Sequence, residues 1–311
     1  SPEKVEASRN FANKIWNAAR FILMNLEGHE IKNELPNELT TEDKWIISSF
    51  NRVAKEITEN LEKFELGIAA QKIYDFLWDV FCDWYIEIAK IRMNSDDAQT
   101  AQNAREVLVW VMTGTLKLLH PFMPFITEEI WQTLPHEGDA LIVAQWPEYC
   151  QEHDFPEAEL EMQRIMDVIR GVRNRRAEMN VPPSRKTNLY IATAEPNTFE
   201  NGIAILNKLA YATQITIGQA FDIEGAVTIV TNDAKVYIPM DELVDKKAEL
   251  ARLNRELETA KKQFAQVNGK LNNQGFLSKA PAQVVEGVKK DFETLTERIQ
   301  LIESSISALQ S

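Results

Sequence analysis

Apolar side chains recur every three or four residues as far as Leu134, which is the spacing of amphipathic α-helices. The pattern predicts five helices packed as an antiparallel bundle. Helix ends are marked by a glycine stop, a capping box and a pair of prolines. The first helix is predicted to end before Gly28, and the second to start at the capping box Thr40-x-x-Asp43. The third is predicted to run from Leu66 to Met93. The fourth is predicted to end at His120, before Pro121 and Pro124, and the fifth to start at Ile126.

A long helix and a small mixed module are predicted after the bundle. Residues 135–153 contain proline and glycine and are expected to form a surface loop. The box Asp154-x-x-Glu157 is predicted to cap a long helix that ends before Val181-Pro182-Pro183. Residues 187–240 change to short β-branched runs, which predict an α+β module. Its strands are expected at 188–193, 214–218, 227–231 and 235–239, its helix near 197–210, and a hairpin turn at Asn232-Asp233.

From Leu243 onward, two apolar series alternate steps of three and four residues, as in a coiled coil. When the series run in opposite directions, Phe264 meets Phe292 and Leu257 meets Ile299, so paired residue numbers have a nearly constant sum. A constant sum is what an antiparallel hairpin within one chain requires. We therefore prefer a hairpin, with helices about 45 Å long, over a coiled coil between two chains.

These elements predict a mainly α protein with an antiparallel helical bundle, a small α+β module and a C-terminal antiparallel coiled-coil hairpin. Several domains are expected in a chain of 311 residues. The predicted divisions are 1–153 for the bundle, 154–186 for a basic long helix that completes it, 187–240 for the α+β module and 241–311 for the coiled-coil arm.

Composition and motifs argue against several classes of function. The chain carries a formal net charge of −13, and its two cysteines, Cys82 and Cys150, lie far apart without a metal-binding spacing. No zinc site or disulfide framework is predicted, and a reducing cytoplasm fits best. No apolar run approaches the roughly 18 residues of a membrane span. Phosphate-binding glycine loops, HExxH and GxSxG are absent, so we expect no catalytic residue and no metal site.

Two basic islands interrupt this acidic chain. Seven basic residues lie between Arg164 and Lys186 against two acidic ones, and six lysines lie between Thr259 and Lys290 against one glutamate. Such islands predict contacts to a nucleic-acid backbone, because cations beside phosphates release condensed counterions. A solvated helix face is the alternative. The candidate backbone contacts are Arg170, Arg173 and Arg176 on the long helix and Lys261, Lys262, Lys289 and Lys290 on the arm.

A polar strip on the first helix is a third candidate. Asn10, Lys14, Asn17 and Arg20 lie opposite its apolar face. Asparagine and arginine form paired hydrogen bonds with base edges, and unpaired loop bases are the usual targets of sequence-specific RNA recognition. The alternative is an ordinary polar outer face.

Four segments give the chain a resemblance to a known family. Residues 8–21 resemble the opening of the anticodon-binding bundle of bacterial valyl-tRNA synthetases, and residues 81–85, 119–131 and 172–183 resemble later landmarks of the same family. The match follows the chain in order and covers nearly all of it. Residues 119–131 are shared with related class I synthetases, whereas the terminal hairpin points to the valine enzymes.

The resemblance implies the tRNA-recognition region of a ligase that joins L-valine to its tRNA. The first helix would contact the anticodon, and the arm would contact the outer corner of the tRNA. Phe276 or Leu277 at the tip would pack on an exposed base. The expected partners are tRNA(Val) and the catalytic and editing domains of the same parent chain, and the enzyme is expected to be monomeric.

The resemblance also implies what this chain does not do alone. The two ATP-binding signatures of the family are absent from it, so ATP and Mg²⁺ belong to the parent, and the fragment should be inactive without cofactor of its own. Two alternatives stay open. One is the equivalent region of another class I synthetase, and the other is a non-enzymatic coiled-coil scaffold.

Overall fold

The computed structural model describes residues 2–243, 246–273 and 282–310. The predicted helical bundle is confirmed, and Gly28 follows its first helix with a φ of 78°. The predicted third helix, Leu66 to Met93, is one continuous helical stretch in the structure. It consists of two α-helices with a π-helical segment, Phe76–Tyr85, between them. The helices are α1 (Pro2–Leu26), α2 (Thr41–Glu62), α3 (Leu66–Asp75), α4 (Ile86–Met93), α5 (Ala98–Leu119) and α6 (Pro124–Trp131).

Asp43 caps α2 and is also the centre of a buried charge cluster. The backbone N–H of Thr40 donates to its Oδ2 at 3.2 Å, which confirms the predicted capping box. Its Oδ1 accepts from Tyr85 Oη at 2.6 Å and from Arg92 Nη1 at 2.5 Å. Burial raises the pKa of Tyr85 well above its ordinary value, and the Asp43 charge adds to that effect. One carboxylate thus ties α2 to the π-helical segment and to α4.

The long helix α7 (Pro156–Glu178) begins differently from the prediction. The box Asp154-x-x-Glu157 does not cap it, because the residue before the helix is Phe155, which offers no side-chain cap. Asp154 instead accepts a hydrogen bond from Tyr149 Oη at 3.0 Å. The backbone N–H of Phe155 donates to Ser48 Oγ at 3.1 Å, which fixes the start of α7 against α2.

The predicted α+β module is confirmed, with its helix divided at Gly202. The sheet order is β2-β1-β4-β3, with β1 parallel to β2 and the other pairs antiparallel. The inner face of the sheet continues the hydrophobic core of the bundle across α7. Its elements are β1 (Thr187–Thr193), α8 (Pro196–Asn201), α9 (Ile203–Leu209), β2 (Ala212–Gly218), β3 (Ala226–Val230) and β4 (Ala234–Pro239).

The short helix α10 (Met240–Leu243) leads to the two arm helices, α11 (Lys246–Leu271) and α12 (Ala282–Gln310). The predicted hairpin within one chain is confirmed, because the rings of Phe264 and Phe292 lie 4.8 Å apart and Arg298 forms an ion pair with Glu256 at 2.8 Å. At 26 and 29 residues the helices extend about 39–44 Å.

The Asp43 cluster gives a stability prediction. Asp43→Ala leaves the buried Arg92 guanidinium and Tyr85 hydroxyl without their acceptor, so we expect the free energy of unfolding to fall by about 3–5 kcal/mol. Urea unfolding followed by tryptophan fluorescence measures it. Asp97→Ala is the matched control, since Asp97 caps α5 from a solvent-exposed position through Gln99 N at 3.0 Å. If the free energy of unfolding falls equally in both variants, the bonds from Asp43 to Tyr85 and Arg92 contribute no stability beyond that of a helix cap.

Candidate nucleic-acid interface

The polar strip of α1 is exposed except at one position. Asn10, Asn17 and Arg20 are exposed, whereas Ile15 and Ile22 on the opposite side are fully buried. Helical geometry therefore presents two amides and one guanidinium along a common face. These are side chains that can form paired hydrogen bonds with base edges.

Lys14 is held in place by residues far away in sequence. Its Nζ lies 2.6 Å from Asp83 Oδ1 and 3.9 Å from the ring centroid of Trp78, and its side chain is 22% exposed. The ring of Trp78 stacks in turn on Tyr74, with centroids 5.5 Å apart. Lys14 thus has a defined position beside two half-buried aromatic rings. Sequence reasoning missed these neighbours, although the four-residue spacing of Tyr74 and Trp78 places them on one helix face.

Arg176 was predicted to contact phosphate, and the structure places it elsewhere. It is 2% exposed, and its guanidinium donates to Thr187 Oγ1 at 3.3 Å, to the Pro182 carbonyl at 3.0 Å and to the Arg185 carbonyl. Burial lowers its pKa from the ordinary value. Because these bonds join the end of α7 to the α+β module, we withdraw Arg176 from the candidate phosphate contacts.

Three of the five arginines of α7 alternate with two aromatic rings. Arg170 and Arg173 lie over Trp84 at 5.0 and 5.7 Å, and Arg173 and Arg176 lie over Tyr211 at 5.7 and 5.3 Å. Arg173 also donates to the Leu209 carbonyl at 2.7 Å. Of these three arginines, only Arg170 is about half exposed, and it forms an ion pair with Asp167 on its own helix.

Other members of the first basic island are also paired within the protein. Arg164 lies 3.4 Å from Asp233 and 3.7 Å from Glu195, and Arg175 pairs with Glu178 at 3.2 Å. The island therefore stabilises the junction between α7 and the sheet. Arg164 pairs with carboxylates of the module, whereas Arg170 and Arg175 pair with carboxylates on α7 itself.

The second basic island has a different environment. Lys262, Lys289 and Lys290 are exposed, and no ion pair forms at any of them within the described part of the arm. Lys261 pairs with Glu303 at 2.7 Å, but both side chains are about half exposed, so the pair is weak. Phe276 and Leu277, the candidate tip contacts, lie outside the described residues.

The described residues offer little other chemistry. They contain no group of three or more metal-ligating side chains, and none of their helices is long and apolar enough to cross a membrane. Burial raises the pKa of the Cys82 thiol to about 12, so it carries almost no thiolate at neutral pH. The His120 ring lies 2.8 Å from Thr127 Oγ1 of α6, so it links the end of α5 to α6.

The α7 arginines give a second prediction. Arg176→Met removes the hydrogen bonds to Thr187 of the module and to the Pro182 and Arg185 carbonyls before it, and it should lower the free energy of unfolding by about 1–3 kcal/mol. Arg170→Met, on the same helix, removes an exposed pair and should change it by less than about 0.5 kcal/mol. Thermal unfolding of the two variants measures the difference in their stability. Equal melting temperatures would contradict a structural role for Arg176.

Two family models match the chain. One describes an anticodon-binding domain of tRNA ligases and covers residues 43–191, and the other describes a valyl-tRNA synthetase tRNA-binding arm and covers residues 245–310. The chain is 44% identical to the valine–tRNA ligase of Clostridium acetobutylicum over 99% of its own length. It is 42% identical to that of Listeria monocytogenes over 97% and 39% identical to that of Bacillus subtilis over 96%.

The chain spans about a third of these relatives, 36% of the first and 35% of the other two. The anticodon-binding match covers the bundle from α2 onward together with α7 and β1, whereas α1 precedes it, and the coiled-coil hairpin lies within the arm match. Both matched domains bind tRNA in the families that they define. The chain therefore belongs to the valine–tRNA ligase family, in which it corresponds to the anticodon-binding domain and the tRNA-binding arm.

Proposed function

We propose that this chain recognises tRNA(Val) for a monomeric, cytoplasmic ligase that joins L-valine to that tRNA. The supporting observation is the contrast between the two ends of the chain. An exposed strip of amides and a guanidinium lies on α1, and exposed lysines lie on the distal arm. Binding of ATP and Mg²⁺, catalysis and the hydrolysis of mischarged threonine belong to the part of a full-length ligase that this chain does not span.

The α1 strip is the proposed site of base recognition. Valine tRNAs share a middle adenine and a third cytosine in the anticodon, and these bases are unpaired. Asn10 and Asn17 can donate and accept at base edges, and Arg20 can donate two parallel bonds. Lys14 loses little side-chain freedom on binding because Asp83 and Trp78 already fix its position.

The distal arm is the proposed site of backbone contact. Lys262, Lys289 and Lys290 carry full charge in solvent, which suits phosphates rather than base edges. Lys261 joins this set once the tRNA competes with Glu303 for its ammonium. The length of the hairpin separates these contacts from those of α1, so the two regions would act on different parts of one tRNA. Phe276 and Leu277 stay candidates for apolar packing on a base at the outer corner.

Base recognition by α1 gives a prediction about anticodons. Arg20→Ala should weaken binding of a tRNA with a valine anticodon by about 1–3 kcal/mol, with little effect on a tRNA whose anticodon lacks both the middle adenine and the third cytosine. Filter binding at fixed salt measures both affinities. Arg9→Ala is the control, because Arg9 is exposed on the same helix and pairs only with Glu6 among the described residues. Unchanged discrimination in Arg20→Ala and Lys14→Ala together would place base recognition elsewhere.

Backbone contact by the arm gives a prediction about salt. Replacing Lys261, Lys262, Lys289 and Lys290 by glutamine should weaken all tRNAs alike. It should lower the slope of log affinity against log salt by about 0.7–0.9 for each phosphate that the arm no longer neutralises. Anticodon discrimination should be unchanged.

Arg255→Gln combined with Arg298→Gln is the matched control for the arm, since both residues lie in its proximal half. The control removes positive charge from the same hairpin and should leave the salt slope nearly intact. If the four-lysine variant keeps the original slope, the distal charge is simply solvated. The hairpin would then fit a scaffold that binds proteins.

A further inference from the structure

An apolar patch is exposed on one side of the bundle, on α6 and on the loop that follows it. Phe125 is 90% exposed, and Ile142 and Val143 are each 76% exposed. The loop that carries Ile142 and Val143 is fastened to α6, because the Glu128 carboxylate accepts from Leu141 N at 2.9 Å. Phe125 lies one turn before Glu128 on α6. The three side chains therefore belong to one face, which we call the α6 patch.

A polar cleft adjoins the α6 patch. One part of it has a volume of about 460 Å³ and reaches Trp131 and His136, and a second part has a volume of about 360 Å³ and reaches Trp110. The two parts share Thr113 and Lys117 of α5. Ala144 and Gln145 line the cleft directly after Val143, so patch and cleft form one continuous surface.

Three buried polar atoms at this cleft have no hydrogen-bond partner in the described chain: Thr113 Oγ1, Trp131 Nε1 and Asn33 Oδ1. The Thr113 and Trp131 side chains are almost completely buried, with exposures of 2% and 1%. Buried polar atoms in native proteins nearly always have a partner. All three side chains line the 460 Å³ part of the cleft, where their polar atoms can pair with hydrogen-bonding groups that enter it.

The charge of this side favours protein over RNA as the occupant. Glu34, Glu137 and Glu148 are exposed at the cleft without an ion pair among the described residues, and they outnumber its two lysines, exposed Lys32 and half-buried Lys117. Lys117 is half-buried, and burial lowers its pKa. RNA phosphates would meet these carboxylates with like charge, whereas lysine and arginine of a protein would be attracted.

We propose that the α6 patch and its cleft form a docking surface for a basic, partly apolar protein surface supplied by the remainder of a full-length ligase. The inference rests on the proposed function, because the chain spans 36% of the length of a relative and the remainder would need a contact with the bundle. Exposed apolar groups, unpartnered buried polar atoms and a carboxylate rim together match the make-up of a protein interface, with an apolar centre and a polar surround.

Cysteine labelling compares this surface in the 311-residue chain and in the full-length ligase. Ile142→Cys is made in a Cys150→Ser background, where Cys82 stays unreactive because burial keeps its pKa at about 12. We expect maleimide labelling of Ile142→Cys to be slower by at least about tenfold in the full-length ligase. Val230→Cys on β3, where Val230 is 73% exposed, is the matched control and should be labelled at equal rates in both proteins.

Each outcome of the labelling test shows whether protein or RNA covers the α6 patch, or neither does. Equal labelling of Ile142→Cys in both proteins overturns the proposal, and Val143→Cys repeats the test if the first variant fails to fold. Protection that appears only after tRNA is added identifies RNA as the occupant and also overturns it. Because protection is measured without tRNA, the result is independent of a gel shift of the chain with tRNA, which is where failure of the proposed function would be seen.

Discussion

Helix α7 is buried on two sides, and the arrangement of the other elements depends on this constraint. One side packs into the bundle and the other lies beneath the sheet, so a single hydrophobic core continues through both. The approach is close at Gly171, where an added Cβ would lie 2.7 Å from Ile229 Cγ2 of β3. A larger residue would push β3 away from α7. Because β4 and α10 follow β3 in the chain, the orientation of the sheet at α7 also sets where the arm begins.

The burial of α7 on two sides also explains where the positive charges of its arginines lie. Burying both sides of α7 also buries much of its arginine face, so Arg176 bonds to carbonyls and Arg173 lies between Trp84 and Tyr211. Guanidinium groups suit this role because they stack on rings while donating in their own plane. The lysines of the distal arm face no comparable surface among the described residues. Two islands of similar composition therefore have different roles, one within the fold and one available to a polyanion.

The sequence predicted the elements well where the signal was local or followed a simple register. Heptad positions fixed the pairing of Phe264 with Phe292, which the structure confirms. It failed where the outcome depended on contacts between distant segments. The spacing of Arg170, Arg173 and Arg176 places them on one helix face but does not tell whether the sheet covers that face. The cap predicted at Asp154 failed similarly, because the start of α7 is fixed by Ser48 of α2, which accepts from the backbone N–H of Phe155.

The division of recognition between bundle and arm follows from how each interaction depends on distance. A hydrogen bond to a base edge requires atoms placed within a few tenths of an ångström, so its donors belong on a packed element such as α1, where Ile15 and Ile22 are fully buried. Attraction between lysine and phosphate acts over a screening length of about 8–10 Å and tolerates small displacements. A long two-helix hairpin can therefore position phosphate contacts and apolar packing on a base, but it is poorly suited to paired hydrogen bonds with base edges. In the proposed function, specificity for the anticodon therefore comes from the bundle, and the arm contributes affinity that does not depend on sequence.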